Sequence, residues 1–353
     1  MGKGKRFLKK VIEVKDMFGQ YYEATEPGRR ERAYAWSTAI GLQNVDGLKT
    51  SQYLIDTAKR HIEGEITQDE ARRLVDAYYE TKSANAIPAD TQQADKVSAR
   101  IVAVINSPTF NFSVPYYLGL HRQIFEGVFP FAGQIRTVEL TKREWVLNGA
   151  SVQYTPATLV EDTLAYDFTQ ERKVKYSSFS NDAFIEHFAA FISGIWQIHP
   201  FREGNTRTTA LFAIKYLRAK GYDVTNDLFA AKSYFFRNAL VRANYENTQL
   251  GVDKTLIPLV NFFKVLIYNH PIELKSRHLF IGTEFAPNEV NHEVNEVNQR
   301  ILQILKANPR CTIPALATSC GVSRATIDRA IKTLKDANLL RRIGSTRGHW
   351  QVV

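Results

Sequence analysis

Two apolar helical segments joined by one polar loop constrain this chain most. Phe184, Phe188, Phe191, Ile192, Ile195 and Trp196 recur at helical spacing, and the pattern stops at Pro200. A second helix is predicted from near Asn205, carrying Leu211, Phe212, Ile214, Lys215 and Leu217 and ending at Gly221. An aromatic stripe of this kind is core rather than a cofactor box. Between the helices lies His199-Pro200-Phe201-Arg202-Glu203-Gly204-Asn205-Thr206-Arg207.

The rest of the chain reads as mainly α. A length of 353 residues implies two to three domains. Residues 1–32 read as a basic, solvated arm, with Pro27-Gly28 as a break. Residues 33–82 read as a small three-helix unit, its last helix opened by a Thr67/Glu70 capping box. A polar connector leads to a helical block over 95–275. Within that block Ile135, Val138, Leu140, Trp145 and Val146, followed by Asn148-Gly149, predict one β-hairpin. Residues 276–291 read as a linker. Residues 292–353 read as three helices and a two-stranded wing, the helix-turn-helix running Ile313-Pro314-Ala315-Leu316-Ala317, Gly321, Ser323-Arg324-Ala325-Thr326.

Charge is uneven. The net charge is +10, and residues 292–353 carry ten Lys/Arg against four Asp/Glu. A basic winged helix suits nucleic acid, with Ser323, Arg324, Thr326 and Arg329 placed to read bases and Arg341, Arg342 and Arg347 to hold phosphates. Docking of another protein is the alternative. No run approaches the roughly 18 apolar residues of a membrane span, and no secretory signal is visible. Two cysteines, Cys311 and Cys320, make no disulfide framework. A cytoplasmic protein without a membrane partner is expected.

The polar loop carries the chemistry. Gly204-Asn205 opening a helix turns backbone N–H groups and the positive helix end outward, which makes an anion site. Arg207 in the first turn adds a phosphate-binding fork. Glu203 at the lip suits Mg²⁺ shared with phosphate oxygens and water. His199 suits a general base for a hydroxyl proton. The plain alternative is a satisfied helix-end histidine beside a simple turn.

His199, Phe201, Glu203, Gly204, Asn205 and Arg207 together resemble the signature of the Fic family. Phe129-Pro130-Phe131-Ala132-Gly133-Gln134-Ile135-Arg136 is similar to the segment that leads into that family's target-docking flap. The resemblance covers roughly residues 95–270. It implies a helical core with a β-hairpin flap at about 135–150, and transfer of AMP from ATP to a Ser, Thr or Tyr hydroxyl of a protein. It makes His199 the general base and Glu203 the Mg²⁺ ligand. Gly204, Asn205, Thr206 and Arg207 become nucleotide-binding. Two positions depart from the family pattern: Thr206 replaces a Gly, and Ala210 replaces the Arg used on the γ-phosphate.

Residues 39–79 resemble the small antitoxin that inhibits some Fic toxins, fused here in one chain. The nearest match to its inhibitory motif is Leu42-Gln43-Asn44-Val45-Asp46-Gly47. Asp46 is therefore the inhibitory candidate, with Arg207 as the group it could engage. The alternative is that these helices only stabilise the catalytic block. Residues 292–353 resemble the winged helices of bacterial regulators. Two other functions stay open: a nucleotide-sensing DNA-binding regulator with a degenerate Fic core, and a Fic enzyme that transfers phosphate or removes AMP.

Overall fold

The computed structural model describes residues 14–22, 26–81, 88–224, 227–282, 296–320, 324–336, 339–344 and 348–352. The chain divides into two compact units, Met1–Thr283 and Glu284–Val353.

The first unit opens with α1 (Val14–Tyr22) and α2 (Pro27–Gly41). The arm expected over 1–32 is thus helical in part. Phe18 is fully buried, and the Tyr22 hydroxyl donates to Ser37 Oγ at 2.6 Å. Pro27 starts α2 instead of breaking the chain, because a helix's first turn leaves its N–H groups unbonded anyway. Residues 1–13 lie outside the described part.

Helix α2 is buried on every side from Ala33 onward. Ala33, Ala35 and Ala39 add little bulk, so α1, α5 and α10 pack around it. At its end a Cβ on Gly41 would lie 2.4 Å from Ala230 Cα. Only glycine permits this approach, and Ser233 Oγ seals it by donating to the Gly41 carbonyl at 2.7 Å. The chain then makes a 3-10 turn, Leu42–Asp46, which Gly47 ends at φ 67°. The capping box appears as expected: Thr67 N–H donates to Glu70 Oε2 at 2.7 Å, and Glu70 N–H to Thr67 Oγ1 at 3.2 Å.

Helices α3 (Gln52–Glu63) and α4 (Gln68–Thr81) flank α5 (Ala89–Asn106) and α2. Then follow α6 (Val114–Phe125), α7 (Val160–Arg172), α8 (Asn181–Ile198), α9 (Asn205–Ala219), α10 (Leu228–Ala243) and α11 (Ile257–Tyr268). One continuous core joins all of them, so the N-terminal helices share their interior with the rest. Helix α9 is the central rod, buried from Asn205 through Leu217 between α5, α6 and α8.

The expected hairpin at 135–150 is not a β-ladder. The segment holds a 3-10 turn at Trp145–Leu147 and no strand. Asn148-Gly149 does turn the chain, and Gly149 N–H donates to the Glu144 carbonyl at 3.0 Å. Val146 and Leu147, buried within the 3-10 turn, do not alternate along a sheet, and the backbone pairing across the turn is limited to that bond and Glu144 N–H donating to the Ala150 carbonyl at 2.9 Å.

Burial of titratable rings in this unit has a measurable result. His61 accepts the Trp36 indole N–H at Nδ1, 2.9 Å away. Burial first, and Arg32 second, lower its pKa to about 4, and burial lowers His121 to about 4 as well. Unfolded histidines take up protons near pH 6.5, before the folded ones do. Stability is therefore complete above about pH 6.5 and declines as pH falls towards 4. The thermal midpoint should drop between pH 6.5 and 5, and by less in His61→Gln. A midpoint that stays level there contradicts this.

The second unit contains α12 (Glu296–Ala307), α13 (Ile313–Cys320), α14 (Arg324–Asp336), β1 (Leu340–Ile343) and β2 (His349–Val352). The strands pair antiparallel, Leu340 opposite Val352 and Ile343 opposite His349. Ile301, Leu305, Leu316, Ile327, Leu334, Leu340 and Trp350 form its core. This is the three helices and wing read from the sequence.

Candidate active site

The loop between α8 and α9 is held in a demanding shape. His199 ends α8 at φ 52°, ψ 59°, a left-handed conformation uncommon for a side-chain-bearing residue. Gly204 opens α9 at φ 82°, and a Cβ there would sit 2.3 Å from Phe125 Cε2. The Asn205 side chain closes the loop on itself: Nδ2 donates to the Phe201 carbonyl at 2.7 Å, and Oδ1 accepts Phe201 N–H at 3.0 Å.

Two residues outside the loop fasten it. Buried Arg136 donates from Nε to the His199 carbonyl at 2.7 Å, and its Nη atoms reach the Val138, Thr155 and Ile198 carbonyls. Arg136 N–H donates to the Pro200 carbonyl at 2.8 Å. His121 stacks on Phe201 at 3.8 Å, accepts Gly133 N–H at Nδ1 and donates from Nε2 to the Glu203 carbonyl at 3.0 Å.

The His199 ring is 2% exposed and stacks on Tyr154 at 4.0 Å. Its Nδ1 lies 3.2 Å from the Trp196 carbonyl. A carbonyl only accepts, so Nδ1 carries the proton and Nε2 carries the lone pair. Nε2 is buried with no hydrogen-bond partner. Burial first, and Lys142 second, hold this imidazole well below the usual histidine range, so it is neutral at pH 7. A neutral, oriented imidazole with a free nitrogen is a general base awaiting a proton donor.

Glu203 receives Lys142 Nζ at 3.1 Å on one oxygen and Gly204 N–H at 2.9 Å on the other. Burial works against its charge. Lys142, Arg207 and the Gly204 amide outweigh that and lower it to about 2. A permanently ionised carboxylate at the mouth of the site fits Mg²⁺, which takes one or two carboxylates and fills its shell with phosphate oxygens and water. Among the described residues there is no cluster of three or more His, Cys, Asp or Glu that would make an all-protein cage.

Thr206 has a structural role: its hydroxyl accepts the Trp196 indole N–H at 3.0 Å. Thr206→Val keeps the shape and strands that N–H, so it should cost about 1–3 kcal/mol of stability. A denaturant titration of both proteins checks this, and an unchanged midpoint refutes it.

Arg207 points inward and is fully buried. Its guanidinium lies 4.7 Å over the Phe125 ring, and Nη1 donates to Gln43 Oε1 at 3.0 Å. Asp46 Oδ2 sits 2.8 Å from Arg207 Nε, an ion pair without an aligned hydrogen bond. Arg207 Nη2 has no hydrogen-bond partner. Asp46 Oδ1 also lies 3.6 Å from Arg237 Nη1, on α10. Sequence reasoning placed Asp46 near Arg207. It missed Gln43, His121, Lys142, Glu144 and Arg237, whose residue types are common and whose positions are far apart in the chain.

His199, Glu203, Asn205, Thr206, Lys142, Glu144, Asp46 and Arg237 line one narrow cavity. Its free space is about 10 Å³, room for one water. Ligand sites for nucleotide-sized molecules are about 300–1,000 Å³, so this site is closed.

In the second unit Arg324, Arg341 and Arg342 are exposed, and Arg342 lies 4.8 Å over the Trp350 ring. Thr326 and Arg329 fall on α14. Ser323 and Arg347 lie outside the described residues.

The loop thus presents a neutral histidine, an ionised glutamate and a buried arginine between two helices. Residues 111–217 match the Fic/DOC family model, and residues 294–341 match a winged helix-turn-helix DNA-binding model, so the chain carries a Fic/DOC domain followed by a winged helix. A protein of Sinorhizobium fredii named a probable protein adenylyltransferase is 29% identical over 137 residues, covering 38% of this chain and 67% of that protein. A protein adenylyltransferase of Bartonella henselae is 24% identical over 142 residues, and the chain spans 26% of its length. The structure of BepC from Bartonella tribocorum, with bound AMPPNP, covers 52% of this chain at 21% identity and a TM-score of 0.37.

Proposed function

We propose that this protein is a Mg²⁺-dependent protein adenylyltransferase, held inactive by its own N-terminal turn. The observation that carries the reading is the unpartnered, buried Nε2 of a neutral His199, set beside ionised Glu203 and Arg207. The protein adenylyltransferase names of the relatives support the class of reaction.

In this reading the hydroxyl oxygen of a target Ser, Thr or Tyr attacks the α-phosphorus of ATP. Its proton passes to His199 Nε2, the bond from α-phosphorus to the bridging oxygen breaks, and pyrophosphate leaves. Glu203 would hold Mg²⁺, which would supply charge neutralisation on the polyphosphate, and Lys142 would have to release Glu203 for this. Arg207 binds phosphate once Asp46 lets go. The exposed backbone before Lys142 aligns the target segment. Asp46, with Gln43, occupies Arg207 and keeps the cavity too small for nucleotide.

The test is incubation of the full chain with Mg²⁺ and ATP labelled on the α- or the γ-phosphate. Label from α alone on protein supports AMP transfer. Label from γ replaces it with phosphate transfer, and no label from either, in the full chain and in its Asp46→Ala variant alike, favours a regulator.

We further propose that the basic winged helix contacts DNA through α14 and the strand arginines. Arg341→Ala with Arg342→Ala should weaken binding to any duplex and flatten its salt dependence by about two phosphate contacts. Gel retardation across a salt series checks this, and an unchanged slope points to protein docking.

A further inference from the structure

One carboxylate, Asp46, faces two guanidinium groups that come from different helices. Arg207 belongs to the first turn of α9, whereas Arg237 comes from the middle of α10, beyond the matched 111–217 segment. Arg237 lines the same cavity as His199 and Glu203. Its Nη2 donates to Glu144 Oε1 and Oε2 at 3.0 and 3.1 Å. Its Nη1 donates to the Val45 carbonyl at 2.7 Å and faces Asp46 Oδ1 at 3.6 Å.

We propose that Arg237 is a second phosphate-binding residue, forming with Arg207 a two-arginine cradle for the polyphosphate that Asp46 now fills. This rests on the reading that nucleotide binds here.

The division of contacts on Arg237 supports the assignment. Glu144 is 3% exposed and takes both of its oxygens to one nitrogen, Nη2, which anchors the guanidinium there. Nη1 is met by the Val45–Asp46 turn, so moving that turn releases both Nη1 and Arg207 in one event. A guanidinium anchored at Nη2 by a carboxylate is oriented to donate from Nη1 to a phosphate oxygen once the turn moves away. His199 Nε2, in the cavity that Arg237 also lines, is buried without a hydrogen-bond partner, and so is Nη2 of Arg207, the arginine beside Asp46. A triphosphate carries several negative charges, more than a single arginine offsets. Ala210 offers no charge on α9, and Arg237 supplies one from α10.

The experiment is calorimetric titration of the full chain with Mg·ATP in the Asp46→Ala background, alone and with Arg237→Gln or Arg237→Lys. Inorganic tripolyphosphate serves as the competitor. The expected result is an ATP affinity at least about tenfold lower in the Gln variant and intermediate in the Lys variant. Tripolyphosphate should displace ATP from the Asp46→Ala protein and compete poorly in the Gln variant. ATP affinity unchanged by Arg237→Gln, with Arg207→Ala still weakening it, overturns the Arg237 assignment alone. Equal losses in the Gln and Lys variants, tracking a fall in thermal midpoint, overturn it too. If the Gln variant does not fold, the Lys variant decides, and unchanged affinity there overturns the assignment. ATP that binds none of these proteins overturns the nucleotide reading itself.

Discussion

His199→Asn should lower AMP incorporation by at least about a hundredfold while leaving ATP affinity nearly unchanged, since a general base contributes about 10²–10⁴ in rate. Asn is the informative replacement because it tolerates the left-handed backbone at this position better than most residues. The ring it removes does two separable things. Nδ1 anchors to the Trp196 carbonyl, and Nε2 offers the lone pair. Asn can reproduce the first and not the second. Labelling from α-phosphate-labelled ATP, read beside calorimetric ATP affinity and the thermal midpoint, distinguishes lost chemistry from lost structure. If labelling survives in His199→Asn, the proton goes elsewhere and the general-base assignment fails.

Asp46→Ala should have the opposite sign, raising ATP affinity and labelling by about tenfold to a hundredfold. On the proposed lock, nucleotide competes with an intramolecular carboxylate, and apparent affinity is scaled down by the fraction of molecules in which that carboxylate is released. The same substitution removes a partner from buried Arg207 and half-buried Arg237, so the thermal midpoint should fall while activity rises. That pairing of a stability loss with an activity gain is the signature of a lock. Lower activity together with lower stability would instead make the N-terminal helices a scaffold only. Equal activity in the two proteins would leave the Asp46 contact without a regulatory role.

How much of this was legible follows from where the chemistry sits in the chain. His199, Glu203, Gly204 and Arg207 lie within one loop between two strong helices, so local pattern reading reached them. The winged helix was equally local. Arg136 and His121 fasten the loop by side-chain bonds to backbone carbonyls, which no residue pattern announces. Arg237 lies thirty residues beyond Arg207 on a helix whose only local signal is apolar spacing. The hairpin expectation failed because Asn148-Gly149 does turn the chain, but Val146 and Leu147 enter the core on consecutive positions. Helix α2 was underrated because small residues on all its faces blur the apolar stripe. Burial on every side came from its neighbours, above all the close approach at Gly41.

The enclosure of α2 bears on how such a protein can be switched. An inhibitor that is a separate molecule is removed by dilution, degradation or a competing partner. Here the turn carrying Asp46 is continuous with a helix wrapped by α1, α3, α5 and α10, and withdrawing that helix would open the unit's interior. On the proposed lock, release is therefore a short excursion of residues 42–47, with α2 left in place. Activation would then be first-order in this protein and independent of its concentration. Its rate would be set by how often one turn lifts from two arginines, so any anion that captures those arginines in the open moment acts as the switch.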